Sequence, residues 1–246
     1  DKDFARYRDF GNMTGLIGNY LSKPKGPLAM EPIGEYRVTF YWIARELPHD
    51  GRKLTSILVR CPCSKEEHPM EVATSFKRRL DREGTGILED GRLINVLRRG
   101  EKRRYLDIST IYPTGLGSRN NPLTPFISVA VSDCNPDLKF GDRIYIPKAH
   151  GIPLPNGGKH DGIFTVDDTG SGIATKQIDI FIFVKKNWLE FQRNLKAHRQ
   201  RFFVYELFRA GREPSKSPKP LPANRPKSQK QSLKRELPRP NQLARP

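Results

Sequence analysis

Short runs of apolar residues, separated by turn residues, dominate the chain and predict a mainly β protein. In the segment 35–46, Val38, Phe40 and Trp42 fall on alternate positions, which is the period of a strand with one buried face. The segment 86–100 predicts a hairpin with a turn at Asp90–Gly91. Further strands are predicted over 53–62, 124–133, 140–147, 162–168, 176–185 and 201–208.

In two segments the apolar residues recur with the period of a helix instead. In 70–84, Val72, Phe76 and Leu80 fall four residues apart, and Gly84 supplies a stop signal. The segment 187–199 predicts a second amphipathic helix, and 150–162 predicts a long polar loop rich in Gly and Pro. Many short strands joined by tight turns favour a small closed β-barrel with peripheral helices.

Composition divides the chain into three parts. Residues 1–35 predict an extended arm with a short helical patch over 3–20, and residues 36–210 predict the folded domain. Residues 211–246 hold 8 Pro among 36 residues and carry a net charge of +8. Such a segment buries too little apolar surface to offset its ordering entropy, so we expect a disordered basic tail.

The whole chain carries a formal net charge of +17, from 44 Lys and Arg against 27 Asp and Glu. Basic charge suits a polyanion such as nucleic acid, an anionic membrane surface or an anionic wall polymer, but it is also common on solvated surfaces without a partner. Nucleic acid is not the expected partner, because no known nucleic-acid motif appears and the charge is concentrated in the tail. No apolar run approaches the 18 residues of a membrane-spanning helix.

Cysteine and histidine usage predicts neither a metal site nor a cofactor. Cys61 and Cys63 are too close for a usual zinc knuckle, and the five His show no ligand spacing. Two alternatives remain for the thiols: a bridge from Cys61 or Cys63 to Cys134, or three unpaired cysteines.

Two carboxylates eleven positions apart are the strongest candidates for chemistry. Asp168 opens a D-T-G-S-G turn after a strand, and Asp179 lies between apolar residues in Q-I-D-I-F. A buried carboxyl group must be paired, hydrogen-bonded or held neutral by a raised pKa, and a neutral carboxyl group is what a general acid requires. The plainer interpretation is an outward-facing Asp179 on an edge strand.

Three blocks of the sequence resemble the three-aspartate (3D) domain family. This family is similar to the catalytic barrel of membrane-bound lytic transglycosylase A and to the stationary-phase survival proteins. The blocks are the S-D-C-N-P-D segment leading to G-D-R-I-Y-I, then D-D-T-G-S-G-I, then Q-I-D-I-F, in that order. The family's three aspartates would be Asp133, Asp168 and Asp179, with Asp137 as a second candidate for the first of them. Ser171 stands where the family usually has Gly.

The resemblance implies a six-stranded double-psi β-barrel that cleaves peptidoglycan without water. The bond between N-acetylmuramic acid and N-acetylglucosamine would be cut to leave a 1,6-anhydro ring, with Asp179 as the single acid and base. It further implies that two glycine-containing segments contact the glycan strand. The first contains Thr169, Gly170 and Gly172, and the second contains Gly84, Thr85 and Gly86. The implied location is secreted, periplasmic or associated with a bacterial cell wall, although no signal peptide is visible in this chain.

The chemistry of the residues agrees with this scheme. A single carboxyl group can protonate the leaving oxygen and then accept the proton of the C6 hydroxyl group. Asp168 is expected to form a pair with Asp179, raise its pKa and stabilise positive charge in the transition state. Gly170 and Gly172 would allow a tight turn and a close approach to the sugar.

Two alternatives to this activity remain. An inverting glycoside hydrolase on a similar barrel would use both carboxylates and a water molecule, and would leave a reducing end. A non-catalytic module would bind cell-wall glycan without releasing soluble fragments.

Overall fold

The computed structural model describes residues 28–47, 51, 53–62, 66–97, 103–155, 157–196 and 200–209. The predicted helical patch over 3–20 and the predicted basic tail over 211–246 lie outside the described residues. Among these residues no helix is long and apolar enough to cross a membrane.

Most of the described chain is β structure, as the sequence predicts. The strands in chain order are β1 (Leu28–Tyr41), β2 (Ala44–Arg45), β3 (Leu54–Arg60), β4 (Glu67–Ala73), β5 (Thr85–Ile87), β6 (Leu93–Val96), β7 (Tyr105–Asp107), β8 (Ser128–Ser132), β9 (Arg143–Tyr145), β10 (Ile163–Gly170), β11 (Gln177–Phe181) and β12 (Arg201–Arg209). The α-helices in the described part are α1 (Thr74–Glu83) and α2 (Lys185–Leu195), and Pro147–Ala149 form a short 3₁₀ turn.

A closed barrel forms the first layer, which confirms the predicted fold class. Its strands follow the order β1-β11-β8-β10-β9-β12, and β12 returns to pair with β1. The pairs β1·β11 and β8·β10 are parallel, and the other pairs are antiparallel. Alternate side chains such as Val38, Val129, Phe164 and Ile180 fill the interior, and Phe191 of α2 packs against the same core.

A second six-stranded sheet, in the order β2-β5-β6-β7-β3-β4, was not predicted. Its strands resemble the barrel strands in length and composition, so the sequence pattern alone assigns them to one barrel. Helix α1 covers this sheet through Phe76 and Leu80. A third apolar cluster, which includes Ile43, Ile108 and Phe181, joins the sheet to the outer face of the barrel.

Two predicted boundaries are wrong. The helix predicted from residue 70 begins at Thr74, because Met70 to Ala73 pair with β3 in an antiparallel ladder that takes precedence over their helical spacing. Its predicted end is confirmed: Gly84 has φ of 84° and donates its N–H to the carbonyl oxygen of Leu80 over 2.8 Å. The first barrel strand begins at Leu28, inside the segment predicted as an arm.

The cysteines differ from both predicted arrangements. Cys61 is disulfide-bonded, and Cys134 is a free, exposed thiol. A bridge to Cys134 is therefore wrong, and so is a chain with three unpaired cysteines.

Candidate active site

Asp168 and Asp179 lie on either side of one small residue of the barrel. Strand β8 runs between β10 and β11, and its Ala130 is the register partner of Asp168 on one side and of Asp179 on the other. Neighbouring strands are about 4.8 Å apart, so the Cα atoms of the two aspartates are separated by roughly 10 Å. The methyl side chain of Ala130 leaves the space between the two carboxyl groups open.

A β-bulge turns Asp168 toward this face. Val166 is paired with Val129 inside the barrel, whereas Asp168 is paired with Ala130 on the outer face. Asp167 is therefore the extra residue of the bulge and has no register partner on β8. Without the bulge, strict alternation would place Asp168 on the same side as Val166, in the apolar interior. Bulges are known to redirect side chains next to active sites in this way.

Several donors hold the carboxyl group of Asp168. The backbone N–H groups of Ser118 and Thr169 donate to Oδ1 over 2.8 and 2.9 Å, and the Tyr41 hydroxyl group donates to Oδ2 over 3.1 Å. Burial raises the pKa of Asp168, and these hydrogen bonds oppose that shift because they favour the ionised form. Burial, and then the charge of Asp168, raises the pKa of Tyr41 well above its ordinary value, so the phenol remains a donor.

Asp179 is held much more loosely. In the part of the chain that the structure describes, the one donor to its carboxyl group is Nε2 of Gln177, which reaches Oδ1 over 2.9 Å. The same amide nitrogen donates to Thr39 Oγ1 over 2.8 Å, which fixes its orientation. Burial is the largest cause of a raised pKa at Asp179, and the charge of Glu83 adds to it, while Gln177 and Arg37 lower it.

This corrects the expected electrostatic origin of that shift. The sequence suggests that the charge of Asp168 raises the pKa of Asp179. In the structure burial does most of this, and the acidic neighbour that contributes is Glu83, at the end of α1. Asp179 does face outward, as the plainer interpretation holds, but β11 is not an edge strand, because it pairs with both β1 and β8.

Both carboxyl groups open into one cleft of about 510 Å³ between the barrel and the second sheet. The barrel contributes Tyr41, Ala130 and the two aspartates. The second sheet contributes Asn95, and the end of the helix α1, which covers that sheet, also lines the cleft. The third wall is the loop 116–120, whose Ser118 Oγ accepts a hydrogen bond from Thr169 Oγ1 over 3.2 Å.

The other predicted site residues divide into two groups. Gly84, Asp133, Thr169 and Gly170 line the cleft together with Asp168 and Asp179. The remaining three do not line it: Thr85, Gly86 and Gly172.

The three residues outside the cleft have other surroundings. Thr85 is buried and donates its hydroxyl group to Asn95 Oδ1 over 2.6 Å. A Cβ atom at Gly86 would lie 2.8 Å from Phe76 Cζ, so this glycine allows close packing rather than access for a ligand. Gly172 is exposed, with open space around it.

Asp137, the second candidate for the first aspartate, lies in a separate ion pair. Its Oδ2 accepts hydrogen bonds from the Tyr36 hydroxyl group over 2.7 Å and from Lys176 Nζ. The ammonium group of Lys176 also lies 4.6 Å from the centre of the Tyr36 ring. These contacts join the loop after β8 to β1, so Asp137 stabilises the barrel and is not part of the cleft.

Asp167, the extra residue of the bulge, is a buried acid that the sequence analysis did not single out. It is 8% exposed, its Oδ2 accepts a hydrogen bond from Ser128 Oγ over 2.6 Å, and burial raises its pKa from 3.8 to about 6. The carbonyl group of Asp167 accepts a hydrogen bond from Asn121 Nδ2 over 2.9 Å, which ties the bulge to the loop that carries Ser118.

We expect the replacement Asp167→Asn to remove a pH dependence of stability. A carboxyl group whose pKa is raised on folding stabilises the fold fully below pH 4 and progressively less as the pH rises to about 6, a loss of up to about 3 kcal/mol. Asparagine still accepts the Ser128 hydrogen bond but carries no charge. Urea unfolding at pH 4 and pH 7 measures this difference, with Asp133→Asn as the exposed control. An unchanged pH dependence in the Asp167→Asn protein would contradict the assignment.

The fold and the site thus define a β-barrel protein with two unequal carboxyl groups in one open cleft. No protein-family model and no curated protein matches the chain. Among the described residues, no three His, Cys, Asp or Glu side chains are grouped as metal ligands.

Several solved structures are similar to the chain. MltA of Escherichia coli with bound chitohexaose is 13% identical over 83% of this chain and 84% of that chain, with a TM-score of 0.48. A membrane-bound lytic murein transglycosylase from Agrobacterium tumefaciens is 13% identical over 74% and 76%, with a TM-score of 0.46. MltA from Neisseria gonorrhoeae is 12% identical over 78% and 75%, with a TM-score of 0.48.

Proposed function

We propose that the protein is a lytic transglycosylase, which cuts the glycan strands of peptidoglycan between N-acetylmuramic acid and N-acetylglucosamine and leaves a 1,6-anhydro end. The observation that carries the proposal is the inequality of the two carboxyl groups on either side of Ala130. One is tightly held by several donors, and the other, among the described residues, is held by a single neutral amide. The three sequence blocks that resemble the 3D domain family support the same assignment.

Asp179 acts as the acid and then as the base. Burial keeps it protonated to a higher pH than an exposed aspartic acid, so it can donate its proton to the glycosidic oxygen as the bond from that oxygen to C1 breaks. The oxygen of the C6 hydroxyl group then bonds to C1, and its proton passes to the Asp179 carboxylate. The acid is thereby regenerated, and no water is consumed.

Asp168 acts as the fixed negative charge. Its two backbone donors and the Tyr41 phenol hold the carboxylate in one orientation and favour its ionised form. A carboxylate in this position stabilises positive charge that develops on the sugar ring as the C1–O bond breaks.

Peptidoglycan as the substrate also implies a location in the bacterial cell envelope.

Mass spectrometry of the products released from purified peptidoglycan tests the proposal. Fragments that end in 1,6-anhydro-muramic acid support it. Fragments with reducing ends would instead show the second candidate, an inverting hydrolase. That reaction needs carboxyl groups about 6.5–9.5 Å apart, and the separation of roughly 10 Å between the two Cα atoms also allows this distance. Binding to peptidoglycan without any soluble product would show a non-catalytic module.

Gln177 provides a test of the acid through pH. Its hydrogen bond lowers the pKa of Asp179, so the replacement Gln177→Met should raise that pKa further. A general acid is active while protonated, and the limb of the pH–rate profile on which activity falls with rising pH should therefore move to higher pH. The profile of soluble product release measures this shift. A limb that stays in place or moves to lower pH would count against Asp179 as the acid.

A further inference from the structure

A second hollow, of about 460 Å³, lies where the barrel joins the second sheet, and we call it the junction pocket. Its inner wall is apolar and includes the buried side chains of Ile43, Ile87 and Phe183. Two chain segments that pass between the layers, 42–47 and 183–186, line it, and Ile43 donates its N–H to the carbonyl oxygen of Phe183 over 3.0 Å. The volume is in the range of pockets that hold small molecules.

Positive charge surrounds this apolar wall. Among the described residues, the lining includes one carboxylate, Glu83, which forms an ion pair with Arg82 over 2.8 Å, and four further cations: Arg45, Arg79, Lys185 and Lys186. The ammonium group of Lys185 lies 5.8 Å from the centre of the Trp42 ring, which places a cation directly beside the apolar surface. Guanidinium groups match the geometry of carboxylate and phosphate groups.

The backbone at the pocket wall is strained. Phe183 has φ of 65°, a conformation that a bulky side chain rarely adopts. Val184 donates its N–H to the carbonyl oxygen of Ile182 over 2.8 Å, which closes a three-residue turn around Phe183. Strain of this kind costs free energy and is often found beside ligands, and here it places a phenyl ring in the pocket wall.

The junction pocket differs in charge from the carboxylate cleft. Among the described residues, the cleft is lined by the acids Glu83, Asp133, Asp168 and Asp179 and by the cation Arg82. Arg82 and Glu83 belong to both hollows, so the last turn of α1 separates a mainly acidic cleft from a mainly basic pocket. The cleft should therefore stabilise a positively charged group, whereas a ligand of the junction pocket should be negatively charged.

We propose that the junction pocket binds a small amphipathic anion, with an apolar body against Ile43, Ile87 and Phe183 and an anionic head group among the cations of the rim. A purely apolar ligand would leave the cationic rim unused, and a highly charged polyanion would leave the apolar wall unused. The concave shape suits one small molecule rather than a flat surface. Binding here does not require the chemistry proposed for the cleft.

Fluorescence tests the proposal on the full chain. The protein has two tryptophans, and the replacement Trp188→Phe leaves Trp42, in the pocket wall, as the sole one. The probe is 8-anilinonaphthalene-1-sulfonate, and its neutral counterpart is N-phenyl-1-naphthylamine, which has the same aromatic body without the sulfonate. We expect the anionic probe to bind with energy transfer from Trp42 and the neutral probe to bind at least several-fold more weakly. Equal affinity for the two probes, or no binding, would overturn the proposal.

Charge variants locate the head group. Replacing both Lys185→Gln and Lys186→Gln should raise the dissociation constant of the anionic probe about three- to tenfold, the effect of two partly exposed ion pairs. The matched control replaces Lys148→Gln and Lys159→Gln, two exposed lysines that do not line the pocket, and should leave the constant unchanged. An equal loss in both double variants would show a general surface charge effect and overturn the site.

Competition distinguishes the two head groups that share this chemistry. Octyl phosphate and octanoate should each displace the probe, and the one that does so at lower concentration identifies the preferred head group. Octanol, which has the same chain without the charge, should not displace it. Displacement by octanol as effective as by either anion would overturn the requirement for charge.

Discussion

An Asp179→Asn protein should fold normally and release anhydro-muramic fragments about 10²–10⁴-fold more slowly than the wild type, the usual contribution of general acid–base catalysis. Asparagine has nearly the same shape, and its amide oxygen still accepts the hydrogen bond from Gln177. What it lacks is the proton that must reach the leaving oxygen. The initial rate of soluble product release from purified peptidoglycan, at the pH optimum of the wild type, measures the loss.

The matched control is Asp90→Asn. Asp90 pairs with Arg92 in the hairpin turn of the second sheet and does not line the cleft. That variant removes one carboxylate from the same protein and should retain full activity. A folded Asp179→Asn protein with near wild-type activity would refute the acid–base assignment.

The barrel strands were predictable because their apolar residues alternate with a period of two. The second sheet was not recognised, although β3 and the β5–β6 hairpin were both predicted as strands. Sheet membership depends on which strands pair, and pairing is decided by contacts between distant parts of the chain. In the same way, Met70 to Ala73 pair with β3, so α1 begins only at Thr74.

The two carboxylates of the cleft were also predictable, but their surroundings were only partly so. Gln177 lies two positions before Asp179 on the same strand, so the β period places both side chains on one face. Ser118 is 50 residues from Asp168, and no local pattern connects them. The bulge at Asp167 is equally hidden, because two consecutive aspartates do not reveal which one the ladder leaves unpaired.

Asp168 offers a test that separates three roles for its carboxyl group. The replacement Asp168→Asn keeps an oxygen that accepts from Ser118 and Thr169, so the local structure is retained while the negative charge is lost. If the charge stabilises positive charge in the transition state, the maximal rate should fall by about 10²–10³-fold, the size of the loss when one electrostatic stabiliser is removed from an active site.

The pH–rate profile then shows whether Asp168 also controls the acid. The raised pKa of Asp179 comes mainly from burial, with Glu83 as the contributing acidic neighbour, so the limb that reports Asp179 should stay where it is when Asp168 becomes neutral. A limb that moves to lower pH would instead show that the two carboxyl groups titrate as a coupled pair. An unchanged rate together with an unchanged profile would reduce Asp168 to a turn residue. Only a lower rate with an unmoved limb agrees with a fixed charge that acts on the substrate and not on Asp179.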